Sequence, residues 1–189
     1  MVAELSPQMS VENIQLNLTK KINIKGRDIR GCSLLPDGRK VFSCSSTNTV
    51  SFINKDGDEL FQIGEDKTGA CTYDTVYIKD DNSVSVSGGD NRRITMIDIE
   101  SQEFIIISMD TEIYSMTVRG RTIYYSAWDK GLKMLNLSDK SVNDIINSNM
   151  SYVTYVATSG DKLYYTNYNT HTVTCCDLRQ NGNSKIAVF

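Results

Sequence analysis

The sequence is short of the residues that carry most hydrolytic and redox chemistry. A single histidine, His171, stands among 189 residues. A Ser/His/Asp or Cys/His constellation would have to be built on it, yet it lies in a polar turn, where a solvated imidazole is the expected state. The five cysteines (Cys32, Cys44, Cys71, Cys175, Cys176) are odd in number, contain no CxxC pair and sit mostly in apolar runs. They read as packed, reduced thiols. Cys175 and Cys176 are neighbours, so along a strand they point to opposite faces, which keeps them from ligating one ion together. GxSxG, HExxH, P-loop and Rossmann fingerprints are all missing. The expectation is a chain with no catalytic residue, no metal and no cofactor.

Excess charge and long apolar runs are lacking too. A formal net charge of −3 and a pI near 5.2 supply no global attraction to phosphate backbones or acidic membranes. No stretch approaches the length of a membrane span, and the first ten residues are polar, with Glu4 and Pro7 where a signal peptide would be apolar. The chain is expected to be soluble and cytoplasmic, with no membrane partner. The sequons at Asn17, Asn136 and Asn149 are then chance matches. A hydrophobic content of 40% with 23% charged residues is that of a folded domain.

What the sequence does have is a repeat. Val50-Ser51-Phe52-Ile53-Asn54, Ile94-Thr95-Met96-Ile97-Asp98, Leu132-Lys133-Met134-Leu135-Asn136 and Val173-Thr174-Cys175-Cys176-Asp177 share one phrase. Each runs from an aliphatic residue, through an apolar one two positions on, to Asn or Asp four positions on, and the starts lie 44, 38 and 41 residues apart. A β-rich run precedes each phrase, at residues 41–44, 84–87, 122–126 and 163–166. The turns between the two runs carry Asn48, Asp90-Asn91, Asp129-Lys130-Gly131 and Asn169, residues suited to left-handed or Asx-type backbone. Further upstream, residues 29–35, 73–78, 113–118 and 152–157 are candidates for an innermost strand. Residues 60–63, 104–109, 144–147 and 185–189 are candidates for a fourth.

Four antiparallel strands every forty or so residues is the pattern of β-propeller blades. The fold class is therefore all-β: a β-propeller with four four-stranded blades at about residues 27–64, 70–109, 112–148 and 151–189, after a tail over residues 1–17. The runs alternate with period two and are rich in Val, Ile, Thr and Tyr, which excludes a helical solenoid. A β-sandwich has strands of similar length, but not the matched four-strand phrase. Closed rings of four blades are rare, and residues 18–24 stand where an outer strand completing a blade would lie. The expectation is an incomplete ring, a fragment or a chain that closes by self-association.

The phrases Gly31-Cys32-Ser33-Leu34-Leu35-Pro36-Asp37-Gly38-Arg39 with Val41-Phe42-Ser43, and Gly160-Asp161-Lys162-Leu163-Tyr164-Tyr165-Thr166-Asn167 running through His171 to Asp177, resemble NHL-type six-bladed propellers of tripartite-motif proteins, particularly their invertebrate branch. The resemblance covers residues 18–189. It implies a protein-binding or RNA-binding module that, in longer relatives, stands behind a RING, B-boxes and a coiled coil with ubiquitin-ligase activity. No such zinc-binding or heptad segment lies in these 189 residues, and two of the six blades are lacking. Trp128-Asp129 occurs once, in a turn, and is not the repeated dipeptide of WD-type propellers.

Loops between second and third strands emerge at the same end of a propeller as those leading into each innermost strand. That end is expected to gather Arg27, Arg30, Arg92, Arg93, Trp128, Lys130, Tyr168 and His171, a set of cations and aromatics suited to binding. A protein partner is favoured over RNA because the balance of charge is acidic. The competing enzyme class is a calcium-dependent lactonase-type propeller, for which Asp74, Glu112 and Asn48 are the available ligands. The Asn54, Asp98, Asn136, Asp177 series is assigned to the turns after the third strands, where a short polar side chain accepts backbone hydrogen bonds.

Overall fold

A computed structural model describes residues 21–24, 28–68, 71–151, 153–179 and 187–188. They form four antiparallel sheets of four strands, each an up-and-down meander in chain order. Blade 1 holds β1 (Ile29–Leu34), β2 (Lys40–Cys44), β3 (Thr49–Ile53) and β4 (Glu59–Ile63). Blade 2 holds β5 (Thr75–Ile78), β6 (Ser83–Ser87), β7 (Arg93–Asp98) and β8 (Phe104–Ser108). Blade 3 holds β9 (Ile113–Arg119), β10 (Thr122–Ala127), β11 (Gly131–Asn136) and β12 (Val142–Ile146). Blade 4 holds β13 (Val156–Ser159), β14 (Lys162–Asn167), β15 (Thr172–Asp177) and β16 (Ala187–Val188). Helix is confined to α1 (Glu65–Thr68) and a 3-10 turn at Lys79–Asp81, and no helix among the described residues is long and apolar enough to cross a membrane.

The innermost strands stand side by side, β1 against β5, β5 against β9 and β9 against β13, as a propeller requires. Between the blades lie three apolar clusters. Val41, Phe52, Val84 and Ile97 join blades 1 and 2, and Ile78, Ile94, Ile123 and Tyr125 join blades 2 and 3. Tyr124, Leu132, Leu163 and Cys176 join blades 3 and 4. Period-two alternation generates these contacts: Val41, Phe52 and Phe61 fall in one row of blade 1, and the Phe52 and Phe61 rings stack at 4.4 Å. The outward face of blade 4 leaves Tyr155 62% and Val173 42% exposed, and no apolar cluster among the described residues joins blade 4 to blade 1.

The Asn/Asp series does what its spacing predicts. Asn54 Oδ1 accepts the Asp58 N–H at 2.8 Å and Asp98 Oδ1 accepts that of Ser101 at 2.8 Å. Asn136 Oδ1 accepts the Ser138 N–H and Asp177 Oδ1 the Arg179 N–H, each at 2.9 Å. Two expectations need correction. The strand predicted over 18–24 is not formed at residues 21–24, which have no regular structure, and its remainder lies outside the described residues. The fourth innermost strand starts at Val156 because a turn precedes it: the Thr154 N–H bonds the Ser151 carbonyl at 3.1 Å and the Val153 N–H bonds the Ser151 hydroxyl. Tyr152 lies outside the described residues, as does most of the segment predicted as the last strand.

Gly131 opens β11 at φ +95°, and a Cβ there would stand 1.9 Å from the Ile146 carbonyl oxygen. Both the left-handed backbone and the contact exclude a side chain. Gly131→Ala is expected to cost about 2–4 kcal/mol, read as a lowered midpoint in urea denaturation. A loss below about 0.5 kcal/mol would show that β12 does not close on β11 as described.

Candidate functional site

The four blades share an irregularity at the upper end of their innermost strands. There the strand N–H is received by a hydroxyl of the second strand. Gly31 bonds Ser43 Oγ at 2.9 Å and Asp74 bonds Ser87 Oγ at 2.9 Å. Ser115 bonds Ser126 Oγ at 3.2 Å, and Tyr155 bonds Thr166 Oγ1 at 2.9 Å. In blades 1 and 3 the ladder register slips there, between Ile29 and Gly31 and between Tyr125 and Ala127. At this level lies a cavity of about 480 Å³, lined by Arg30, Tyr73, Asp74, Tyr114, Thr154 and Tyr155 among others.

Tyr73 and Tyr114 meet edge to face at 4.7 Å, and the Arg30 guanidinium lies 5.4 Å from the centre of the Tyr73 ring. The Tyr114 hydroxyl sits between two carboxylates, 2.6 Å from Asp90 Oδ1 and 2.7 Å from Glu112 Oε2, and its one proton serves one of them at a time. Desolvation, and then those two acids, hold the Tyr114 phenol far above its ordinary range. Asp74 is the wall of the cavity. Its Oδ1 accepts the Thr75 N–H at 2.8 Å, while Oδ2 accepts the Met116 N–H at 2.8 Å and the Ser115 hydroxyl at 3.3 Å, tying blade 2 to blade 3.

A second cavity, about 260 Å³, opens beside the first between blades 2 and 3, with Trp128 and Lys130 on one side and Arg92, Asp110 and Glu112 on the other. Its cations are engaged: Lys130 Nζ lies 2.8 Å from Asp110 Oδ2, and Arg92 lies 3.8 Å from Glu112. Trp128 is 41% exposed at its rim.

The eight residues singled out from the sequence thus divide. Arg92, Trp128 and Lys130 share the second cavity, and Arg30 belongs to the first. Tyr168 and His171 pack on one another at 5.9 Å in the blade 4 turn and line neither. Arg93 is the first residue of β7, its Nε buried without a hydrogen-bond partner among the described residues. Arg27 lies outside the described residues. Asn48, Arg92 and His171 have φ of 52°, 50° and 53° and are each the residue before a third strand, so their backbone role is the hairpin turn.

The three candidate calcium ligands do not converge. Asn48 Oδ1 accepts the Cys71 N–H at 2.7 Å, Asp74 holds the β5–β9 junction, and Glu112 faces Tyr114 and Arg92. No three His, Cys, Asp or Glu side chains among the described residues are grouped as metal ligands. Sequence reasoning passed over Tyr73, Tyr114 and Tyr155. The signal that could have found them is the Ser or Thr at or next to the end of each second-strand run, at 43, 87, 126 and 166, whose hydroxyl receives an N–H of the innermost segment.

No family model and no curated protein sequence matches this chain. Solved structures match it in fold. A streptogramin B lyase superposes with a TM-score of 0.73 at 14% identity, over 89% of this chain and 57% of that one. The hydrazine synthase of Kuenenia stuttgartiensis gives 0.71 at 11% identity, over 93% and 53%. The WD40 repeats of RRP9 give 0.68 at 12%, over 87% and 52%. The chain spans about half the length of the structures it matches. The likeness is to propellers as a fold, shared by enzymes and WD40 repeats alike.

Desolvation pushes the Asp74 carboxyl above its ordinary range, against the pull of its three hydrogen bonds. The native carboxyl therefore keeps a proton that the unfolded chain has already released. Its contribution to stability declines as pH rises from the ordinary carboxylate range through the raised value. Asp74→Asn is expected to remove that decline and to cost about 1–3 kcal/mol, because one end of the amide then opposes an N–H with an N–H. Urea midpoints measured across acid to neutral pH check both; an unchanged pH profile in the variant would remove Asp74 from the account.

Proposed function

We propose that the chain is a non-catalytic binding scaffold that takes a protein partner at the end of the propeller where the two cavities open. The observation that carries this reading is the company of the aromatic residues there. Tyr73, Tyr114, Tyr155 and Trp128 offer apolar surface with polar tips, as interface anchors do. Of the nearby cations Lys130 is paired with Asp110 and Arg30 lies over the Tyr73 ring, while Arg92, 3.8 Å from Glu112, stays exposed. A nucleic-acid phosphate would compete with the Asp110 carboxylate for Lys130, whereas a protein surface need only cover the rings. The single histidine, packed on Tyr168, and the separated acids argue against turnover. The resemblance to NHL-type propellers supports a substrate-recruitment role of the tripartite-motif kind.

Trp128→Ala and Tyr155→Ala, each with an unchanged circular-dichroism spectrum, are expected to weaken retention of a captured protein partner about tenfold, while added salt changes it little. RNA titrated into the chain is expected to bind weakly. Sub-micromolar RNA binding that falls steeply with salt and is lost in an Arg92→Ala/Arg93→Ala variant would replace the protein reading. Calcium-dependent hydrolysis of a lactone by the pure chain would replace both.

A further inference from the structure

β8 is the outer strand of blade 2 and bonds only β7. Along its other side the backbone N–H and C=O groups meet no strand among the described residues. Two other outer strands, β4 and β12, are blunted. β4 begins with Glu59, and its register with β3 slips between Phe52 and Ile53. β12 carries Asp144, paired with Lys133 at 2.9 Å, and its register with β11 slips between Leu132 and Lys133. β8 has neither device. It reads Phe-Ile-Ile-Ile-Ser without a charge or a proline, and its pairing with β7 is unbroken from Arg93 opposite Ser108 to Ile97 opposite Phe104. Phe104, Ile105 and Ile106 are 38%, 58% and 44% exposed. Lys67 Nζ stands 4.9 Å from the centre of the Phe104 ring, and no strand among the described residues covers the backbone edge. A straight, uncharged apolar edge of this kind is a template for one more strand.

We propose that β8 pairs antiparallel with β8 of a second copy of this chain about a twofold axis at Ile106, joining two four-stranded blades into one eight-stranded sheet. The strand is self-complementary in that register: Ile106 faces its own copy, Ile105 faces Ile107, and Phe104 faces Ser108. Ile105 also lines, with Met96 and Phe104, a cavity of about 540 Å³. In the paired sheet the second copy's Ile107 lies at its rim.

Charge selects the copy and the direction. The lower end of this edge is acidic, with Asp98, Glu100 and Glu103, whereas the upper end carries Arg92 and Arg93, and Asp110 there is paired with Lys130 at 2.8 Å. Antiparallel pairing sets each acidic end against the basic end of the other copy. Extending the register by one residue puts Glu103 opposite Met109, whose N–H bonds the Arg92 carbonyl at 2.7 Å, so Glu103 of one copy and Arg92 of the other fall in one row. A parallel arrangement would lay acid on acid.

Sedimentation velocity over a dilution series tests this. The chain is expected to sediment as a concentration-dependent dimer. Ile106→Lys sets two like charges face to face on the axis and should raise the dissociation constant at least about tenfold, with an unchanged circular-dichroism spectrum. In a Cys32→Ser background, Ile106→Cys places two thiols across the axis, where facing Cα atoms are about 4.5–5.5 Å apart, within disulfide reach. Mild oxidation should give a dimer whose linked peptide, by mass spectrometry, joins residue 106 to residue 106. A monomer at all concentrations overturns the proposal. So does a dimer that survives Ile106→Lys and forms no link at residue 106, which would place association on another face, such as the exposed side of blade 4.

Discussion

The hydrogen bond from an innermost-strand N–H to a second-strand hydroxyl is the constraint on which the upper half of the propeller rests. It occurs in all four blades, with Ser43, Ser87, Ser126 and Thr166 as acceptors. A regular ladder would give those N–H groups to carbonyls and keep the strands flat. The hydroxyl receives the N–H instead, so the register can slip, as it does in blades 1 and 3, without leaving a donor unsatisfied, a bond whose net value is about 1 kcal/mol each. At the same level blades 1 and 2 approach closely. A Cβ on Gly31 would lie 2.7 Å from the Asp74 Cα, so blade 1 meets blade 2 there backbone to backbone.

From that approach follows a division of labour across the radius of the fold. Near the axis the blades are joined by polar bonds: the Ser33 hydroxyl to the Thr75 carbonyl at 2.8 Å, the Met116 N–H to Asp74, and the Val156 N–H to Ser115 Oγ at 3.2 Å. Farther out the joints are the three apolar clusters. At the lower end Arg121 pairs with Asp81 and Arg119 with Asp161, linking blade 3 to both neighbours. Polar bonds near the axis suit strands too close for large side chains, whereas burial favours apolar ones where the blades diverge. One outcome concerns binding. Lys130 looks free in the sequence but is paired with Asp110, while Trp128 and Tyr155 at the upper end stay exposed.

Some features were open to reading because they act over a few neighbouring residues. Alternation in Val50-Ser51-Phe52-Ile53 declares a strand, and Asn54, Asp98, Asn136 and Asp177 declare the turns that their side chains in fact close. Others were not. The start of β13 depends on the Ser151 turn, whose bonds win over the β-propensity of Val153 and Tyr155. The grouping at the upper end was half seen: Arg92, Trp128 and Lys130 do meet, but Tyr168 and His171 form a pair of their own.

By itself, then, the sequence determined the four-stranded units, their number and the position of their turns, because hydrophobic period and turn chemistry are local and recur at each repeat. The tertiary structure decided which side chains share a cavity. Tyr73 and Tyr114 come from different blades, as do Ser115 and Asp74, which are 41 residues apart. Blade packing brings them together, and a single strand carries no record of the neighbour that will face it. The same holds for charge: Lys130 reads as a free cation until the fold sets Asp110 against it at 2.8 Å.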